Sequence, residues 1–246
     1  MNLLTVDHIT KVYTQRELFH DASFYLQDGE KVGIIGINGT GKSTLLKIMA
    51  GLEEPDAGNV VWANHLVIRY LPQMPEFHAG ETVLESVVRT ASVGNSHEEK
   101  TTEQHEAWNL ESEAKTLMTR LGITDFDQKT EYLSGGQKKR VTIATVLAME
   151  PSVLVMDEPT SNLDPRARRQ IIDLIRRFSH TTLIATHDME MVLDLCDRTI
   201  VMKEGRIVAD GSTRHVFGDL ALLEECGLEQ PCELRMKRAL KKEYAP

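Results

Sequence analysis

Gly36-Ile37-Asn38-Gly39-Thr40-Gly41-Lys42-Ser43-Thr44 stands between an apolar run, Lys31-Val32-Gly33-Ile34-Ile35, and a helix-forming one, Leu45-Leu46-Lys47-Ile48-Met49-Ala50. The first run reads as a buried strand and the second as a helix, so the stretch between them is a strand-to-helix turn. Small residues there let backbone N–H groups wrap an anion, and the helix points its positive end at the same place. Lys42 then reaches the outer phosphates of a nucleotide, and Ser43 offers a hydroxyl to a magnesium ion bridging the outermost two. A glycine turn in some other α/β protein accounts for the glycines alone. It does not account for Gly-x-x-x-x-Gly-Lys-Ser with both flanking elements in place.

The rest of the chain sets limits on what surrounds this cradle. At 246 residues it holds one large domain, or one domain with an inserted subdomain, with 41% hydrophobic residues. The balance of 28 basic against 37 acidic residues, a net of -9, argues against a general nucleic-acid binder. No apolar run approaches the ~20 residues of a spanning helix, and the start of the chain lacks a signal peptide's pattern. A cytosolic chain is the expectation, with any membrane role supplied by a partner that spans. Cys196, Cys226 and Cys232 have no metal-ligand spacing and read as reduced thiols.

Ahead of the cradle, alternation predicts a strand over 3–9, with Val12-Tyr13 just beyond it, and a second strand around Phe24 and Leu26. Behind it, Gly51 is a candidate helix cap, 55–58 a turn, and 60–62 and 67–71 short strands. Helical spacing begins at Thr82. A polar stretch over 92–106 reads as an exposed, mobile connection, and a second helix covers 110–121. The second half alternates: strand 153–156, helix 166–178, strand 182–185, helix 189–195, then a hairpin around Lys203-Glu204-Gly205. That order predicts an α/β fold, a parallel sheet flanked by helices, with an antiparallel β layer at the front and a helical insertion at about 80–150. One domain over 1–230 and a basic tail over 231–246, carrying Arg235, Lys237, Arg238, Lys241 and Lys242, complete the plan.

A second anion-binding turn is legible in Leu133-Ser134-Gly135-Gly136-Gln137, which opens the helix predicted over 138–148. By itself it would pass for an ordinary helix cap at Ser134. Together with the cradle, the sequence resembles the ATP-binding cassette superfamily of P-loop NTPases, from about Leu3 to the region of Gly211. In proteins of that kind the Leu-Ser-Gly-Gly-Gln loop of one cassette closes on the nucleotide held by another. The resemblance therefore implies ATP and magnesium as cofactors, and a second cassette, identical or related, as a partner.

The resemblance also assigns roles, residue by residue. Gly36, Asn38, Gly39, Gly41, Lys42, Ser43 and Thr44 would hold the phosphates, and Ser134, Gly135, Gly136 and Gln137 would complete the partner's site. The strand Val153-Leu154-Val155-Met156 delivers Asp157 and Glu158 beside the cradle, where α/β folds bind ligands. Asp157 would hold magnesium through water, and Glu158 would act as the general base. Asp164 would sit in the loop through which the two halves communicate. Gln73 matches a glutamine that senses magnesium and water. His187, in Ala185-Thr186-His187-Asp188, matches a switch histidine that contacts the γ-phosphate. Tyr13 lies where an aromatic stacks on adenine, with Phe19 and Tyr25 nearby.

Two parts of the chain resemble different branches of the superfamily. The portion through about Val141, with Tyr70-Leu71-Pro72-Gln73 and Leu121-Gly122-Ile123-Thr124-Asp125-Phe126, is similar to soluble translation factors that act on ribosomes (ABC-F). From about Glu150, Thr160-Ser161-Asn162-Leu163-Asp164-Pro165 and Phe217-Gly218-Asp219 are similar to cobalt and nickel energy-coupling-factor ATPases. The transporter reading is preferred: a nucleotide-binding subunit docked on a transmembrane partner through the groove near Gln73. The alternatives are a ribosome-associated cassette, the one case with direct nucleic-acid contact, and a recombined or designed chimera. Against the ribosome stand the single cassette, the acidic balance and Asn162 where that branch has His.

Overall fold

The computed structural model describes residues 1–13, 16–93 and 104–243. Two long strands, β1 (Asn2–Tyr13) and β2 (Arg16–Gln27), pair antiparallel at the front of the chain. The strand expected over 3–9 is thus longer and includes Val12 and Tyr13. The alternation breaks because the register shifts between Val6 and Ile9, where His8 takes a φ of 51°. The inward-facing set runs Leu4 and Val6, then Ile9 and Lys11, so the bulge changes the phase and hides the strand's continuity.

After the turn at Asp28-Gly29 come β3 (Lys31–Ile35) and α1 (Lys42–Met49). Residues 57 and 58, expected in a turn, instead begin β4 (Ala57–Trp62), which pairs with β1 to complete the sheet β2-β1-β4. The glycine has a different reason there: a Cβ at Gly58 would lie 2.4 Å from the carbonyl oxygen of His8. Only a residue without a side chain lets the bulge close against this strand.

Next, β5 (Ile68–Leu71) leads into the helices α2 (Val83–Val93), α3 (Gln104–Arg120) and α4 (Gly135–Ala148). Of the polar connection expected over 92–106, residues 94–103 lie outside the described residues, while both its ends are helical. α4 begins three residues before the expected Lys138. Ser134 accepts from the N–H of Gln137 and the Gln137 side chain accepts from the N–H of Ser134, a reciprocal capping box.

The second half supplies β6 (Val153–Asp157), α5 (Pro165–Arg177), β7 (Thr181–Ala185), α6 (Met189–Leu195) and the hairpin of β8 (Arg198–Lys203) and β9 (Arg206–Ser212). Short helices α7 (Thr213–Val216) and α8 (Leu220–Glu225) and a terminal helix α9 (Cys232–Glu243) follow. The main sheet runs β5-β6-β7-β3-β8-β9, parallel except at the β9 edge. Its inner strands are buried on both faces, as a sheet covered on two sides requires.

Alternate residues of one strand serve different cores. Val153 and Val155 of β6 pack with Leu45, Leu46 and Met49 of α1 and with Leu4 and Leu26 of the front sheet. Leu154 and Met156 face the other way, into a core with Val141, Ala144 and Ile171 of α4 and α5. α1 is therefore held between two sheets, each fully buried Leu contributing about 1.5–3 kcal/mol. The C-terminal ends of β5, β6, β7 and β3 emerge side by side, which sets where the site lies. Cys196, Cys226 and Cys232 are free thiols, and no described helix is long and apolar enough to cross a membrane.

Candidate functional site

The loop between β3 and α1 forms one wall of a cavity of about 410 Å³. Asn38, Gly39, Gly41, Lys42, Ser43 and Thr44 line it from the loop, and Asp157 and Glu158 from the end of β6. Gln73, just past β5, and Leu18 of β2 close the remaining sides. Gly41 caps α1 in the left-handed region, φ 92°, without any side-chain hydrogen bond to the helix. The first N–H groups of α1 therefore carry no competing side-chain oxygen.

Buried cations and carboxylates face one another here. Lys42 donates to the carbonyls of Gly36, at 2.7 Å, and Ile37, at 3.0 Å. Burial pulls its pKa below the ordinary lysine value, with Glu158 and Asp157 pulling the other way. Burial likewise raises the pKa of Asp157; the Ser43 hydroxyl, hydrogen-bonded to that carboxylate, opposes the rise. Tyr70 donates to the same carboxylate at 3.5 Å, and its hydroxyl is pushed well above the usual phenol range by burial and by Asp157. The pair of hard oxygen donors Ser43 and Asp157, next to a phosphate-shaped loop, suits magnesium, which takes few protein ligands and completes its shell with phosphate and water.

Glu158 is held on every side. Its carboxylate accepts from Thr186 Oγ1 at 3.0 Å and from the His187 N–H at 3.1 Å, and lies 2.8 Å from His187 Nδ1. Its backbone has a φ of 47°, an uncommon state for a residue with a side chain. Thr186 is fully buried while the His187 side chain is exposed, so one face of the pair is anchored and the other is free to reach a ligand. His187 and Gly36 also line an adjacent recess with Ile37 and Asn38.

The aromatic candidates separate by environment. Phe19 is fully buried in the core, and Tyr25 lies under the guanidinium of Arg198 at 4.5 Å. Tyr13 is exposed, with its hydroxyl between Glu53 and Thr44, which places it at the cradle's edge. The structure does not bring the other expected residues into the cavity. Ser134, Gly135, Gly136 and Gln137 lie outside its lining, with Gly136 backing onto the carbonyl of Asn162. Asp164 is the N-cap of α5, accepting from Arg166 N at 2.9 Å and Ala167 N at 3.0 Å. Those backbone bonds, the Ala167 one foremost, hold its carboxyl below the usual range, so the residue expected in the loop between the two halves serves as a helix cap within this chain.

Four participants carried no signal that sequence reasoning used. Leu18 closes the cavity, Tyr70 and Thr186 bond the two carboxylates, and Lys139 lies behind them. Thr186 sits beside His187 and Tyr70 near Gln73, so proximity to a motif was the available clue. Lys139, in a basic run on a helix, resembles a solvated residue yet is 2% exposed.

Comparisons with known proteins identify the family. The family model described as ABC transporter matches residues 19–161, and an AAA domain model matches 129–194. An energy-coupling factor transporter ATP-binding protein of Caldanaerobacter subterraneus is 32% identical, over 99% of this chain and 91% of its own length. A candidate ABC transporter ATP-binding protein of Geobacter sulfurreducens is 38% identical, over 89% of this chain and 90% of its own. A nucleotide-free ATP-binding cassette from an ABC transporter superposes with a TM-score of 0.76 at 27% identity, covering 91% of this chain and 98% of that one. Sequence and fold thus coincide along nearly the whole chain, which belongs to the ABC transporter family as a cassette that binds and hydrolyses ATP with magnesium.

Proposed function

We propose that the chain is the energising subunit of a membrane transporter and hydrolyses ATP at a head-to-tail interface between two cassettes. The observation that carries this reading is the separation of the two anion-binding turns. The cradle opens into a cavity with Lys42, Asp157 and Glu158, whereas the 134–137 turn starts at exposed residues outside it. A second cassette turned head to tail supplies that turn to the open side, so two half-sites make one.

In this reading the loop N–H groups and Lys42 orient the phosphates, and Tyr13 stacks on adenine. Glu158, locked by Thr186 and His187, takes the proton of the water that attacks the γ-phosphorus in line. Ser43, Asp157 and Gln73 would hold magnesium, which would supply positive charge against the charge developing on the phosphates. Lys42, His187 and the partner's copies of Ser134 and Gly136 stabilise the same charge. Asp164 and Gln137 lie in the elements through which the two cassettes meet.

The spanning partner docks on the helical insertion over about 80–150, beside Gln73, at the cytoplasmic face of the membrane. The cassette domain then covers 1–230, with 231–246 as a tail. The energy-coupling relative supports a transporter, and the similarity of residues 160–165 and 217–219 to cobalt and nickel energy-coupling-factor ATPases supports a metal ion as the cargo. The likeness of the first part to soluble translation factors supports a second reading, a cassette that works on a ribosome. Affinity purification from cell extract separates them. A co-purifying membrane protein is the expected result, ribosomes would establish the second reading, and neither would leave a recombined or designed cassette without a transporter.

A further inference from the structure

We propose that Lys139 is a positioning residue for hydrolysis: its ammonium fixes the backbone of Glu158 and ties it to the Gln73 loop and to Ser161. Lys139 is 2% exposed, on the face of α4 turned toward β6. An ammonium group has three protons to donate. Here they meet three acceptors, the carbonyl of Gln73 at 2.9 Å, the carbonyl of Glu158, and Ser161 Oγ at 2.8 Å. Lys139 thereby joins the segment after β5, which carries Gln73, to the turn after β6, which carries both Glu158 and Ser161.

The conformation it holds is one the chain resists. Glu158, at φ 47°, and Asn162, at φ 61°, both sit in the left-handed region that side chains disfavour. The turn between them is closed by Ser161, whose N–H and hydroxyl both reach the Glu158 carbonyl, at 3.1 and 2.9 Å. Lys139 binds that same carbonyl from the helix side. Its charge also faces Asp157 and Glu158 from behind while Lys42 faces them from the cavity, so the carboxylate pair lies between two buried cations. Losing the ammonium frees the turn to relax and shifts the Glu158 carboxylate relative to Thr186 and His187. A displacement of about 1 Å in such a group is enough for roughly a hundredfold loss of rate. Lys139 touches neither the cradle nor the adenine side, and at Gln73 it binds the backbone carbonyl and not the side chain, so nucleotide affinity should be unaffected.

This inference rests on Glu158 being the base, and the test includes Glu158→Gln for that reason. Lys139→Met keeps the length and apolar stem of the side chain; Lys139→Gln keeps donors at reduced reach and is the milder change. Steady-state ATP hydrolysis, nucleotide affinity and amide hydrogen exchange are measured on the full chain. We expect kcat to fall at least tenfold in Lys139→Met and by a smaller factor, still above twofold, in Lys139→Gln, with KM and nucleotide affinity within twofold of the parent. Without nucleotide, exchange should accelerate in peptides spanning 72–76 and 157–163 and not in those from α5 or α1. A kcat within twofold of the parent in Lys139→Met, or in Lys139→Gln if only that variant folds, would overturn the proposal. So would a uniform acceleration of exchange with a parallel rise in KM, which marks a purely structural lysine. If Glu158→Gln is inactive and Lys139→Met is not impaired, this proposal alone fails; if Glu158→Gln hydrolyses at the parent rate, the assignment of the base fails with it.

Discussion

The N-termini of α1 and α4, the two turns proposed to meet phosphate, are finished in opposite ways. α1 begins at Gly41 with no side-chain cap, inside a cavity walled by Lys42, Asp157 and Glu158. α4 begins at Ser134 with a complete capping box, on the outside of the molecule. A helix start without a cap lacks partners for its N–H groups and gains most from an anion. A helix start that caps itself is stable without one. Yet the Ser134 oxygen accepts from Gln137 N at 3.2 Å and donates to no other described residue, so its hydroxyl proton can serve a phosphate arriving from elsewhere.

The largest effect that separates the two ends should come from Lys42→Ala. We expect a loss of at least 10²- to 10³-fold in kcat, the magnitude typical of removing one preorganised group from developing charge, measured by phosphate release. Packing beneath the same end comes next. Leu46, fully buried between the two sheets, should cost about 2–5 kcal/mol as Leu46→Ala in urea unfolding. At the other end, Ser134→Ala should cost about 1 kcal/mol in the isolated chain through loss of the cap. Lys42→Ala and Ser134→Ala would then differ in kind, one marking chemistry within the chain and the other the start of a helix as well as the partner's site.

A smaller effect separates two aspartates. Burial raises Asp157, so its charge is disfavoured in the fold, and the stability at stake is lost as pH rises from the ordinary carboxylate value through its raised one. Burial also pushes on Asp188, but Arg168, at 2.6 and 2.7 Å, and the Met191 N–H outweigh it and leave the carboxyl lowered. Its contribution is present above the ordinary carboxylate pKa and lost as pH falls through the lower folded value. In nucleotide-free chain at neutral pH, Asp157→Asn should therefore raise the unfolding midpoint and Asp188→Asn should lower it. Equal signs would show that the two carboxylates are not divided between catalysis and structure.

What the sequence makes legible follows from how local each feature is. The cradle is written in consecutive residues and framed by two elements of clear pattern, so its geometry could be read directly. Asp157, Glu158 and His187 were findable because each ends a short apolar strand, and parallel sheets bring strand ends together. Lys139 was not, because its role depends on two loops distant in the chain, and in a basic helical run it looks like any solvated residue. The continuity of β1 was hidden by the bulge at His8, and Asp164 carries a capping role that its motif does not announce.

The central claim, that residues 36–44 are half of a site completed by the 134–137 turn of a second cassette, is tested most directly by sedimentation of Glu158→Gln with and without Mg-ATP. The account predicts a monomer that becomes a dimer on adding ATP, and that remains a monomer when Ser134→Arg is added on the same chain. An ATP-loaded Glu158→Gln that stays monomeric, or a dimer indifferent to Ser134→Arg, would contradict it.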